Sequence, residues 1–248
     1  MKSAVLTTSV FGRVDTQIYN HMRMIEKEKG ININVLVVDC VDGHLLCSIA
    51  RKIKNVDGYE SDKIYVEGGK KIVPVLHPKT KEQVNIERTI YGVNDRIKME
   101  FLENVIIHNK KFYESKIEKK YDFVIVNRSL ERTSNQNIPM SNKINKLMSS
   151  VKKDGYLLIN YLFALDENNY IDYPINSYVR GNEIENFFSF DKWTIVSRGS
   201  NFNLIEKPHI GNLEEHRIKI GYLLYKKTPT KLNKKTEKRT LEYKINIK

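Results

Sequence analysis

Apolar positions along this chain recur with two periods that take turns. Between Asp15 and Gly30 (DTQIYNHMRMIEKEKG), Ile18, Met22 and Ile25 fall at helical spacing behind an acidic N-cap candidate, and Lys29-Gly30 is a helix stop. Ile33–Asp39 (INVLVVD) follows as a near-continuous β-branched run, the pattern of a strand buried on both faces of a parallel sheet. His44–Ile53 carries apolar residues at 45, 46, 49, 50 and 53, a helical stripe, and Asn55–Tyr59 leads into a second short strand. Beyond Asp62 the helical period disappears. The segments KIYVE, KKIVPVL and EQVNIER are separated by Gly68-Gly69 and by Pro78-Lys79-Thr80-Lys81, and they predict an inserted antiparallel β meander over about 62–95.

Alternation then resumes with a helix over Asp95–Leu102 and strands at Asn104–His108 and Tyr121–Val126. A helix over Met140–Val151 follows, with Ile144, Leu147, Met148 and Val151 on one face, and then a strand at Tyr156–Tyr161. Repeated βα units of this length imply an α/β fold, a doubly wound and mostly parallel sheet with helices on both faces. The chain ends differently. After a helix near Glu183–Phe188, the strands Trp193–Ser197 and His216–Lys226 have no helix between them, so they pair antiparallel and the final strand is reversed.

Length and composition agree with this picture. The 248 residues, 40% hydrophobic and 10% aromatic with 6 Pro and 12 Gly, suit one folded domain to about residue 227 rather than a disordered chain. The apolar runs, such as Val35–Val38 and Tyr161–Leu165, are far shorter than the roughly 20 residues that span a bilayer, and Met1-Lys2 opens no long apolar leader. An intracellular, cytoplasmic protein with no membrane contact is expected. Cys40 and Cys47 have neither disulfide-framework nor zinc spacing, and the six histidines show no ligand spacing, so no metal is expected.

The net charge of +12 is uneven. From Lys226 to Lys248 nine basic residues face only Glu237 and Glu242, so more than half of the excess lies in a C-terminal tail, 228–248 with the strand end before it. Such an arm suits a phosphate-rich partner through counterion release, and it serves equally as a solubilising tail. No aromatic-basic signature of base readout accompanies it.

Three stretches resemble class I S-adenosylmethionine (SAM) methyltransferases, most closely the tellurite-resistance type. KKYDFVIVNRSLERT with IPMSNKINKLMSSVKKDGYLLINYL looks like that family's fourth strand, helix and turn into the fifth strand, with Lys153-Asp154-Gly155 in the turn. INSYVRGNEIENFFSFDKWTIVSR resembles its F…EL..YF..W segment through Glu183, Ile184, Phe187 and Trp193, and EEHRIKIGYLLYKK resembles its last strand. The likeness covers about residues 15–60 and 100–227 and leaves out the meander and the tail.

The resemblance implies SAM as cofactor and assigns positions to it. The family's acidic-x-Gly-x-Gly-x-Gly loop matches Val37–Gly43, where only Gly43 is kept; Val37 replaces the acid, and Asp39 and Val41 replace two glycines. Asp39 or Asp42 is then placed to accept the cofactor ammonium, Glu60 the ribose hydroxyls, and His108 or Asn109 to meet the adenine amino group. Asn127, with Arg128 and Ser129, lines the carboxyl edge of the sheet where substrate sits, without the Asn-Pro-Pro-aromatic signature of amino-methylating enzymes. No catalytic acid or base stands out, and methyl transfer from a sulfonium needs little beyond alignment.

Two functions follow from different premises. One is methyl transfer from SAM to a small molecule or nucleic acid through an altered loop. The other is a methyltransferase-fold protein without catalysis, an interaction or regulatory subunit docking a protein partner through meander or tail, possibly in a nucleic-acid-processing complex. Cofactor binding separates them. A plain Rossmann oxidoreductase needs the same glycine turn and fits the strand ending poorly.

Overall fold

The computed structural model describes residues 14–76, 79–80, 82–130, 132, 135–162, 179–206 and 216–228. The chain runs α1 (Val14–Lys29), β1 (Asn34–Val38), α2 (His44–Ala50), β2 (Asn55–Tyr59), α3 (Lys63–Glu67), β3 (Gly69–Leu76), β4 (Gln83–Ile90) and α4 (Val93–Met99). It continues through β5 (Val105–His108), β6 (Tyr121–Asn127), α5 (Met140–Ser150), β7 (Val151–Leu162), α6 (Gly181–Glu185), β8 (Trp193–Glu206) and β9 (His216–Lys227).

Seven strands form one sheet in the order β5-β2-β1-β6-β7-β9-β8. β1 lies parallel between β2 and β6, with Val35 beside Val56 on one side and Phe123 on the other. β9 is antiparallel to both β7 and β8, which makes it the single reversed strand. The doubly wound sheet and its reversed end therefore agree with the sequence pattern.

Both faces are covered, which explains the unbroken apolar runs. On one face Met22 and Ile25 of α1 and Leu46 and Ile49 of α2 pack against Val35, Val37, Ile125 and Leu158. On the other, Ile144 and Leu147 of α5 pack against Leu36, Val38, Val124 and Val126. The same side ends in an aromatic cluster where Phe188 stacks on Tyr225 at 3.8 Å and meets the edge of Trp193 at 5.3 Å.

Two elements differ from expectation. KIYVE is a helical turn, not a strand: the Asp62 side chain caps it by accepting from the Ile64 N–H, and Gly68 at φ 78° ends it. The expected meander is thus one hairpin, β3 with β4, registered from Gly69 opposite Ile90 to Leu76 opposite Gln83. β8 extends past Ser197 to Glu206 as an edge strand, where a polar residue such as the exposed Arg198 meets solvent without penalty to the ladder. Asp15, expected as N-cap, lies within α1. The basic tail beyond Thr228 and the start of the INSYVRG segment lie outside the described residues.

Asp122 ties the amino ends of the strands together. Its carboxylate is buried and accepts from Lys29 Nζ (2.7 Å), Lys152 Nζ (2.8 Å) and the Asn34 N–H (2.9 Å). Burial alone would raise its pKa, but the Asn34 amide and the two lysines hold it below the usual aspartate value. A depressed carboxylate stabilises the fold above its unfolded pKa and loses that contribution as pH falls through the folded value. Asp122→Asn should therefore lower the melting temperature at pH 7 by roughly 4–8 °C, the equivalent of about 2 kcal/mol. The gap from the wild type should narrow on acidification below about pH 4, as a thermal melt series would record.

Candidate functional site

The carboxyl ends of the parallel strands bring together the loops after β1, β2, β5 and β6, the edge at which open α/β sheets bind ligands. The loop after β1 turns sharply. Asp39 (φ 51°), Val41 (φ 51°) and Gly43 (φ 78°) are all left-handed, a conformation natural to glycine and strained for a β-branched valine by roughly 1–2 kcal/mol. Gly43 has no spare room, since a Cβ there would lie 3.0 Å from Val93 Cγ1 on α4.

Glu60 holds the loop in this shape from the end of β2. Its carboxylate is fully buried; Oε2 accepts from the Val41 N–H at 2.8 Å and Oε1 from the Asp62 N–H at 2.9 Å. Arg132, from the loop after β6, donates to the same Oε2 at 2.8 Å and stands 3.7 Å from Asp39 Oδ1. Asp39 is turned inward, 2% exposed, and its Oδ2 accepts from Ser129 Oγ and from Asn135 Nδ2 at 2.8 Å.

Two acids and one guanidinium thus form a buried network. Burial raises the Asp39 pKa, with Arg132 opposing that shift. Burial by itself would lower the Arg132 pKa, but Glu60 and Asp39 hold it above the ordinary arginine value.

The remaining expected positions diverge. Asp42 faces α4, where Arg96 donates Nε to its backbone carbonyl at 2.7 Å and approaches its carboxylate at 3.3 Å; His44 Nε2 lies 3.7 Å away. Asn109 donates from Nδ2 to the Glu60 carbonyl at 3.0 Å, so it stays beside the network. His108 does not: its ring stacks on Tyr59 at 4.5 Å, with Nε2 3.9 Å from Asp57.

Asn127 ends β6 beside Asn160 of β7. Asn127 Oδ1 and Asn160 Nδ2 are buried without a hydrogen-bond partner, an acceptor and a donor side by side on neighbouring strands. Sequence reasoning missed Arg132, Asn135 and Arg96. Arg132 is one of two arginines in the loop after β6, and neither periodicity nor spacing marks it.

Cys40 and Cys47 are buried thiols, with burial pushing the Cys47 pKa up to about 12 and that of Cys40 well above its ordinary value. Among the described residues no group of three His, Cys, Asp or Glu side chains is placed to hold a metal, and no helix is long and apolar enough to cross a membrane.

The strand order, the reversed β9 and the turn after β1 define the fold of the class I SAM-dependent methyltransferases. No protein-family profile and no curated protein matches the chain. Among solved structures, TehB from Haemophilus influenzae aligns with TM-score 0.54 and 16% identity over 84% of this chain and 62% of that one. The N-methyltransferase NodS from Bradyrhizobium japonicum aligns with TM-score 0.50 and 10% identity over 86% of this chain and 96% of that one. The [4+2]-cyclase SpnF aligns with TM-score 0.54 and 9% identity over 85% of this chain and 81% of that one. A methyltransferase and a cyclase on one fold leave the decision to the site.

Proposed function

We propose that this chain is a methyltransferase-fold protein that works by binding rather than by methyl transfer, as an interaction or regulatory subunit in the cytoplasm. The observation that carries this reading is the position of Arg132. SAM needs a carboxylate after β2 that is open to its ribose hydroxyls, and a loop after β1 whose backbone it can approach closely. Glu60 instead spends its oxygens on Val41, Asp62 and Arg132, and the loop carries side chains at Asp39 and Val41. These residues do not fit the cofactor as they stand. The hairpin β3–β4 and the basic tail supply surfaces for a partner outside the core domain.

A second reading, methyl transfer from SAM to a small molecule or nucleic acid, has its own support. All three left-handed positions of a glycine loop are kept in shape, and NodS is known with S-adenosyl-L-homocysteine bound. Asn127 Oδ1 then stands at the acceptor side with its lone pairs unused.

Isothermal titration with SAM and with S-adenosylhomocysteine decides between the two. The expected result is no heat from the wild type at ~1 mM ligand, a concentration at which even a dissociation constant near 1 mM, about −4 kcal/mol, is visible. Micromolar binding that Glu60→Ala weakens would overturn the proposal and make the protein an enzyme whose acceptor is to be found.

A further inference from the structure

The end of the sheet opposite the candidate site is basic. The turn into β6 carries Lys119 and Lys120, β7 opens with Lys152 and Lys153, β9 finishes on Lys226 and Lys227, and Lys192 precedes β8. Register gathers these positions at one edge: Tyr121 lies opposite Val151, Tyr156 opposite Lys226, and Trp193 opposite Lys227. The acids of the same region are Asp57, Glu118, Asp122, Asp154 and Asp191, with Asp57 held by Lys119 and Asp122 by Lys29 and Lys152.

Some of the lysines have internal work. Lys227 Nζ donates to the Met148 and Val151 carbonyls at the end of α5 (2.9 and 3.0 Å), as a cation at a helix C-terminus should, and Lys119 pairs with Asp57 at 3.1 Å. Lys120, Lys153, Lys192 and Lys226 make no ion pair among the described residues, and the first three are exposed. Positive charge is crowded here: burial lowers the Lys227 pKa and the nearby Lys120 ammonium lowers it further. Unpaired like charges at close quarters call for an anionic partner. The C-terminal tail leaves from the same edge, directly after Lys227, with seven more basic residues against Glu237 and Glu242.

We infer that this lysine edge is a docking surface for the phosphate backbone of a nucleic acid. On the neighbouring strand six residue steps of β6 separate Tyr121, opposite Val151, from Asn127, opposite Asn160, roughly 20 Å at about 3.3 Å per residue. A nucleic acid docked there is therefore held away from the carboxyl edge and acts as an anchor rather than as a substrate. The inference does not depend on whether SAM binds.

The test is fluorescence anisotropy of the full chain with a labelled 20-base-pair duplex and a 20-nucleotide single strand, titrated between 50 and 200 mM salt. The variant combines Lys120→Gln, Lys153→Gln, Lys192→Gln and Lys226→Gln. A control removes as much charge from the insertion and α4 through Lys63→Gln, Lys70→Gln, Lys71→Gln and Lys98→Gln. Losing four phosphate contacts should flatten the log–log salt slope by about 3 to 4 and weaken binding at least tenfold near 100 mM, with the control close to wild type. Equal loss in both variants would mean attraction by net charge alone, and an unchanged edge variant would leave the tail as sole binder; either overturns the surface. So would binding only to vesicles of phosphatidylcholine and phosphatidylserine at 3:1. Should the fourfold variant melt early, the pair Lys153→Gln and Lys192→Gln, exposed and unpaired, should give half the change in slope.

Discussion

Arg132→Ala should lower the melting temperature by about 6–12 °C at pH 7.5, corresponding to about 3 kcal/mol. The reason is what it leaves behind. Glu60 is fully buried and Asp39 nearly so, and the guanidinium 2.8 Å from one and 3.7 Å from the other is their shared counter-charge. Removing one member of a buried network leaves the others desolvated and unpaired, which is more damaging than never having had the network.

The sign of the pH dependence follows. The Asp39 pKa is already raised by burial, and Arg132 is what opposes the rise. Without it the folded value climbs further. A raised carboxylate favours the fold below its unfolded pKa and loses that contribution as pH rises through the folded value. The deficit of the variant should therefore shrink between pH 7.5 and pH 5, read as the difference between wild-type and variant melts. A deficit independent of pH would mean that Arg132 acts by packing its alkyl stem, and the charge argument would be lost. The variant also probes the site, since its Glu60 carboxylate has lost one of three donors; SAM binding by Arg132→Ala alone would identify the guanidinium as the obstacle.

Gly92→Ala should be as severe, from a different cause. A Cβ at Gly92 would lie 2.3 Å from Gly68 N and 2.6 Å from both Glu67 C and Val66 O, all main-chain atoms that cannot swing aside. α3 and α4 would have to separate at the base of the hairpin, with an overpacking loss of about 3 kcal/mol or more. The damage should travel to the loop after β1, because α4 supplies Val93 against Gly43 and Arg96 against Asp42. Hydrogen exchange should show lost protection around 41–43, with β6 and β7 unaffected. Equal loss throughout the sheet would mean that the insertion is part of the global folding unit rather than a clamp on one loop.

Much of the architecture was legible because burial on both faces leaves a plain mark: β1 and β6 are apolar runs, and α1 and α5 carry one-sided stripes. KIYVE was misread because a five-residue segment satisfies both periods, and the deciding features, the Asp62 cap and the Gly68 stop, are capping chemistry rather than pattern. The end of β8 was missed because an edge strand tolerates polar residues on both faces.

The site was legible only as positions. Glu60 could be placed at the end of β2 by counting, but its partner comes from 72 residues further on, and no period relates them. Likewise Asp42 and Asp39 look alike in sequence; α4, beyond the insertion, draws one outward and the loop after β6 draws the other in.

The aromatic cluster beside β9 gives the molecule a built-in optical reporter. The chain has one tryptophan, Trp193, 2% exposed, with the Lys227 ammonium 5.4 Å from its ring. Indole emission responds to the electric field of such a charge, so whatever displaces or neutralises Lys227 shifts the colour of the protein's own fluorescence. A molecule settling over Glu60 and Asn127, at the other end of the strands, leaves that field untouched. Unlabelled protein therefore distinguishes by wavelength which end of its sheet is in use.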